Sequence, residues 1–158
     1  MDSIDHVLVQ RLQENGRATQ LELAREVGLS QPAVAERIRK LEKRGILRGY
    51  TARVDPAALG KDICAFVGVA IEHPKYFDAF TRKVLTLTDV LECHRVAGAD
   101  SYLLKVRTEN TRTLDELLVK TLRTIPGVTQ THTTIVLASV KEETRIHVPQ
   151  EYLQRRAR

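Results

Sequence analysis

At 158 residues and 42 % apolar composition, the chain is long enough for one or two small domains with packed cores. No apolar run approaches the roughly 20 residues that span a bilayer, and the acidic start MDSIDHVLVQ lacks the charge of an export signal, which predicts a cytoplasmic protein with no membrane partner. The formal charge is +5, and two cysteines, Cys64 and Cys93, are too few for a disulfide framework and read as reduced, buried small hydrophobes.

In chain order, Ile4, Val7, Leu8 and Leu12 keep helical spacing, and Asn15-Gly16 ends that first helix. Thr19 followed by Glu22 matches a capping box, in which hydroxyl and carboxylate each satisfy an orphan N–H. The helix it opens carries Leu23 and Val27 on one face and stops at Gly28. Ser30 offers a second N-cap, with Pro32 in the first turn where its missing N–H costs nothing. Two short helices joined by Gly28-Leu29-Ser30 have the geometry of a helix-turn-helix, which presents a helix N-terminus to a major groove.

The second of these helices, about Gln31 to Arg44, divides by face. Val34, Ile38 and Leu41 recur at i, i+4 and i+7 and point into a core. Gln31, Ala35, Glu36, Arg37 and Arg39 are the candidates to approach base edges, the small alanine letting the helix sit deep in the groove. Ser30, Lys40, Lys43, Arg44 and Arg48 are the candidates to meet phosphate. Gly45 to Arg53 reads as a basic hairpin, or wing. From Gln31 to Arg53 seven basic residues face two acidic ones, a net +5 equal to that of the whole chain, whereas residues 1–30 carry −2. A positive stripe of this kind is the footprint of nucleic-acid binding. Only four Tyr and three Phe are present, which argues against a base-stacking, single-strand platform and for double-stranded DNA.

Beyond an Asp55-Pro56 turn and Gly60, the periodicity changes. Cys64 to Ile71 reads as a strand; Pro74 precedes a helix marked by Phe77, Phe80 and Val84; Val90 to Val96 and Tyr102 to Arg107 read as two further strands. Leu114, Leu117, Leu118, Leu122 and Ile125 mark a second helix halted by Pro126-Gly127, and Val128 to Val140 a long β-branched strand. The fold class is therefore α+β: a winged helix-turn-helix domain (1–53), a linker (54–62), a ferredoxin-like βαββαβ domain (63–140) and an extension (141–158). Such a sheet, uncovered on one face, invites a second copy, with Gly68 and Ala70 allowing close approach; helix-turn-helix readers usually bind two half-sites as dimers. A homodimer is expected. The extension reads as solvated or partly helical, with Arg155, Arg156 and Arg158 offering an auxiliary DNA contact.

The blocks LAREVGLSQPAVAERIRKLEKRGILRGYTARVDPAALG and IDHVLVQRLQENGRAT resemble the reader of the Lrp/AsnC, or feast/famine, transcriptional regulators. VAGADSYLLKV and GVTQTHTTIVL are similar to that family's ligand-sensing module, so that the resemblance spans about Asp2 to Val140. It implies dimers that often assemble into octamers or larger discs, with an amino acid or related small molecule as effector. It also implies an effector site at the loop Gly98-Ala99-Asp100-Ser101, where Gly98 leaves backbone room and Asp100 pairs an ammonium, with Thr131 and Thr133 bonding a carboxylate. Many members place aspartate directly before the strand's aromatic residue, where this chain has Ser101 before Tyr102.

Other chemistry finds little support. The five histidines and Cys93 have no recognised metal-ligand spacing, and neither a Gly-rich phosphate loop nor a nucleophile elbow is present, so no catalytic residue, metal or cofactor is expected. Two rival readings are a sensor that regulates a metabolic enzyme by direct contact, and an enzyme built on the C-terminal domain. The basic stretch opposes the first, and the missing catalytic set opposes the second.

Overall fold

A computed structural model describes residues 1–154, so the arginines at 155, 156 and 158 lie outside the described residues. The described residues divide into two compact units, one formed by Met1–Arg53 together with residues 141–154, the other by Val54–Val140.

The first unit is built on three helices: α1 (Ser3–Glu14), α2 (Gln20–Val27) and α3 (Gln31–Lys43). Each start is fixed by a side-chain cap. Asp2 and Asp5 form a capping box on α1; Thr19 and Glu22 form one on α2; the Ser30 hydroxyl accepts the Ala33 N–H at 3.4 Å on α3. Gly28, at φ +69°, closes α2 in the left-handed region that only glycine enters freely. Leu8, Leu12, Leu23, Ala24, Val27 and Val34 form the buried core, with Ile38 and Leu47 packed against it.

The wing expected over Gly45–Arg53 is not formed: no strand lies between α3 and residue 63. Instead, α3 ends in a Schellman motif. Gly45, at φ +67°, donates to the Glu42 carbonyl, Ile46 donates to the Leu41 carbonyl at 3.0 Å, and Leu47 donates to that same oxygen. These bonds fold residues 45–47 back onto α3, and residues 48–56 continue without a strand ladder. The 141–154 segment also returns to this unit. Gln13 and Ile146 exchange two hydrogen bonds (3.1 and 2.8 Å), Arg53 donates to the Glu142 carbonyl, and Tyr152, on the short helix α6 (Gln150–Gln154), stacks on His6.

The second unit opens with an Asx turn, Asp55 accepting the Ala57 N–H, and continues to β1 (Ile63–Ile71), α4 (Phe77–Val84), β2 (Val90–Arg95), β3 (Tyr102–Thr108), α5 (Thr111–Glu116) and β4 (Val128–Ile135). The helix expected through Ile125 is broken into α5, a wider turn at Leu117–Thr121 and a 3-10 turn at Leu122–Thr124. All neighbouring strands are antiparallel, in the order β2-β3-β1-β4, the arrangement of a ferredoxin-like βαββαβ unit. On the helix-covered face, Ala65, Val67, Val69, Leu104 and Val106 pack against Phe80, Val84, Leu114, Leu117 and Leu122, burials worth about 1.5–3 kcal/mol for each large side chain. The other face carries Phe66, Gly68, Leu103 and His132, by alternation and register. Strand β4 stops at Ile135 rather than Val140, because its partner β1 begins at Ile63 and offers no ladder beyond the Val136 N–H to Cys64 carbonyl bond.

Candidate nucleic-acid interface and effector site

Helix α3 turns its inner face to the core through Val34, Ile38 and Leu41. At 3.6 residues per turn, the side opposite Val34 carries Pro32, Glu36, Arg39, Lys40 and Lys43. On this outer ridge Arg39 grips Glu36 with a fork: Nε donates to Oε2 at 2.8 Å and Nη2 to Oε1 at 2.7 Å. Lys40 Nζ lies 3.8 Å from the same Oε1. The hydrogen bond and charge of Arg39, with Lys40 and Lys43 nearby, hold the Glu36 carboxyl below its ordinary range, so it is an anion set among cations. Lys43, Arg44 and Arg48 are exposed and form no ion pair among the described residues. Gln31 is exposed at the helix start and Ala35 half-buried beside it. The Ser30 hydroxyl is engaged in its cap.

Arg37 stands apart from the ridge on which sequence reasoning placed it. Its Nη1 donates to Asp5 Oδ1 at 2.7 Å and to Asp2 Oδ2 at 2.8 Å, with only 30 % of its side chain exposed. The Asp5 and Asp2 carboxylates favour its charged form against burial. Arg37 therefore fastens α3 to the N-terminus of α1, where the two carboxylates also meet the positive end of the helix dipole. In this structure Arg37, expected to approach bases, is engaged by α1 instead of standing on the outer ridge. The partners Asp2 and Asp5 were missed, although Asp-x-x-Asp before an apolar helical run is a visible capping signal.

The expected effector residues divide into separate places. Asp100 folds over β1: a Cβ on Gly68 would lie 2.1 Å from Asp100 Oδ2, so glycine there makes room for the carboxylate. Asp100 Oδ1 lies 3.0 Å from Nδ1 of His132, the residue opposite Gly68 on β4. This corrects the purely intermolecular role expected for Gly68. Ser101 is structural. Its N–H donates to the Val69 carbonyl and its hydroxyl accepts the Ile71 N–H at 3.1 Å, satisfying backbone where the β1–β4 register slips. Thr131 and Thr133 pair with Val69 and Val67 and so face the helix side of the sheet, opposite to Asp100 and His132. Thr131 is buried and accepts a bond from Arg123 Nε at 3.0 Å. The two threonines therefore do not join Asp100 in one intramolecular site. Gly98 and Ala99 are exposed on the loop, and a Cβ at Gly98 would meet only open space. His132 was missed because strand register, not spacing, brings it to Asp100.

No helix of the described residues is long and apolar enough to cross a membrane. Residues 1–42 match the AsnC-type helix-turn-helix domain, and residues 64–146 the Lrp/AsnC ligand binding domain. The leucine-responsive regulatory protein of Escherichia coli (strain K12) is 37 % identical over 148 residues, covering 92 % of this chain and 90 % of that protein. A Neisseria meningitidis transcriptional regulator in complex with L-methionine aligns with a TM-score of 0.89 at 30 % identity, over 96 % of this chain and 99 % of that one. The feast or famine regulatory protein from M. tuberculosis, complexed with L-methionine, aligns with a TM-score of 0.86 at 40 % identity, over 94 % and 99 %. These relatives are regulators rather than enzymes. With an AsnC-type reader at its start and a ligand-binding domain behind it, the chain belongs to the Lrp/AsnC family of DNA-binding transcriptional regulators.

Proposed function

We propose that residues 1–53 read duplex DNA, that residues 54–62 link them to a sensing and assembly domain at 63–140, and that an amino acid is the effector. The observation that carries the DNA reading is the outer ridge of α3, a capped helix with a cationic face and its apolar face committed to the core. In this reading Gln31, Ala35 and Arg39 approach the bases, and Lys40, Lys43, Arg44 and Arg48 meet phosphate.

The amino-acid class rests on the L-methionine held by two of the similar structures and on Asp100, whose carboxylate sits on the sheet's open face and suits an ammonium group. A second copy seated on that face, against half-exposed Phe66 and Leu103, would give a homodimer, and dimers would join into an octamer. Effector binding would then alter how dimers meet and so the spacing of their reading heads, coupling two sites through assembly. In this reading the protein works in the cytoplasm, where a bacterial or archaeal chromosome lies.

A gel shift with the protein's own upstream region tests the DNA reading. Specific retardation with a steep salt dependence is expected, and no retardation of any duplex would refute it. Isothermal titration with the common amino acids tests the effector class, which absence of heat from all of them would overturn. Light scattering after size exclusion tests assembly: a strict monomer at micromolar concentration would end that part of the proposal.

A further inference from the structure

We infer that Arg39, positioned by Glu36, reads a guanine in the major groove, and that Glu36 itself reads no base. The inference rests on the DNA reading proposed above and names the chemistry of one of its contacts.

Five N–H donors radiate from a guanidinium in a fixed plane. Glu36 takes one edge of that plane, the Nε and Nη2 edge, through the two bonds of the fork. The end formed by Nη1 and the remaining Nη2 hydrogen makes no bond among the described residues, on a side chain 54 % exposed, and two parallel donors there match the N7 and O6 acceptors of guanine. Anchoring one edge biases a long, exposed side chain toward this orientation before DNA arrives, so somewhat less entropy is lost on contact.

The same fork uses one acceptor site on each oxygen of Glu36, so a cytosine amino group would have to share a carboxylate already committed to Arg39. With Arg39 on both oxygens and Lys40 close by, the carboxylate is neutralised where it would face phosphate, and its role becomes that of a brace. The other arginine of the helix interior is not a competitor, since Arg37 is held against α1 by Asp2 and Asp5. Lys40 and Lys43 share the ridge, and an ammonium can also reach N7 and O6, but its three donors rotate on a flexible stem and are not fixed in a plane as those of Arg39 are.

The test is selection of sites from a randomised duplex pool by the full-length wild type and by the Arg39→Ala, Arg39→Lys and Glu36→Gln variants. Affinities are then measured on the selected site, with one guanine replaced by another base or by 7-deazaguanine. The wild type should select a guanine at one position of each half-site and bind roughly 5- to 150-fold more weakly when it is changed, the range for a good bidentate contact. The 7-deaza duplex should lose part of that factor. Arg39→Ala should be indifferent at this position yet selective elsewhere, and Arg39→Lys should prefer this guanine less than the wild type does. Glu36→Gln should bind random duplex at least as well as the wild type while preferring this guanine less. A uniform loss on all sequences in Arg39→Ala, with the salt slope reduced by about one, would make Arg39 a phosphate contact and overturn the inference. Unchanged guanine preference in Glu36→Gln would overturn the bracing role. A wild type that retards no duplex would instead refute the DNA reading beneath it, whereas one that binds every duplex without selecting a base would overturn this inference alone.

Discussion

Replacing Gly68 with alanine places a methyl carbon 2.1 Å from Asp100 Oδ2 and 2.7 Å from its Cγ, distances that no pair of such atoms tolerates. The carboxylate must leave, and with it the 3.0 Å bond to His132. Three effects set the magnitude. Removing a glycine from a strand interior stabilises by about 0.5–1 kcal/mol. Displacing a packed group costs about 1–3 kcal/mol. Losing an Asp–His pair with 24 % and 54 % of the two side chains exposed costs at most about 1 kcal/mol after solvent screening. Gly68→Ala alone should thus be neutral to destabilising by up to about 3 kcal/mol, whereas in an Asp100→Ala background only the first effect survives and it should stabilise by about 0.5–1 kcal/mol. Urea denaturation of the four proteins of this double-mutant cycle, followed by circular dichroism, measures the coupling, expected at about 1–4 kcal/mol. Additivity within about 0.5 kcal/mol would mean that Asp100 does not rest on Gly68.

Arg37→Ala should destabilise the helix-turn-helix unit by about 1–2 kcal/mol, the value of charge-assisted bonds discounted for partial exposure, and thermal melts should show most of the loss already present in an Asp2→Asn, Asp5→Asn background. Its effect on DNA binding should be equal across sequences, as measured by gel shift. Ser101→Ala strands the Ile71 N–H and should destabilise by about 1–2 kcal/mol in urea, with Ser101→Thr retaining the acceptor and most of the stability. Acid should weaken the same helical unit through its caps. Asp2, pushed up by burial but pulled further down by the Asp5 N–H and Arg37, and Glu22, held by the Thr19 N–H and hydroxyl, both lie below their ordinary values of 3.8 and 4.5. Each is depressed on folding, so its stabilisation is present above those ordinary values and fades as pH falls through the folded-state ones. Thermal melts down the pH scale should show this loss, reduced in Asp2→Asn and Glu22→Gln.

What the sequence made legible was local. The caps at Thr19 and Ser30 and the stop at Gly28 each depend on residues within four positions, and the structure forms all of them. Gly45 was legible as a break but not as a particular kind of break. A Schellman stop and a hairpin both begin with glycine, and the backbone bonds to Leu41, not the residue types, separate them. The length of β4 failed for a different reason: β-branched residues run on past Ile135, but a strand lasts only as long as its neighbour. The effector loop was visible as a motif, yet the company Asp100 keeps was not, because Gly68 and His132 lie 32 positions from it on either side and meet it only through strand register. Arg37 looked like its neighbours Arg39 and Lys40; only its position on the turn facing α1 commits it elsewhere.

The return of residues 141–154 to α1 gives the molecule an order of manufacture. The three helices can assemble as soon as they leave the ribosome, but the pieces that bind Gln13, stack on His6 and receive Arg53 are made only after the 87 residues of Val54–Val140. At roughly 5–20 residues per second that is a delay of about 4–17 s. Through that interval the DNA-reading helices stand with one flank uncovered, and the last strap reaches them only once the sensing domain exists.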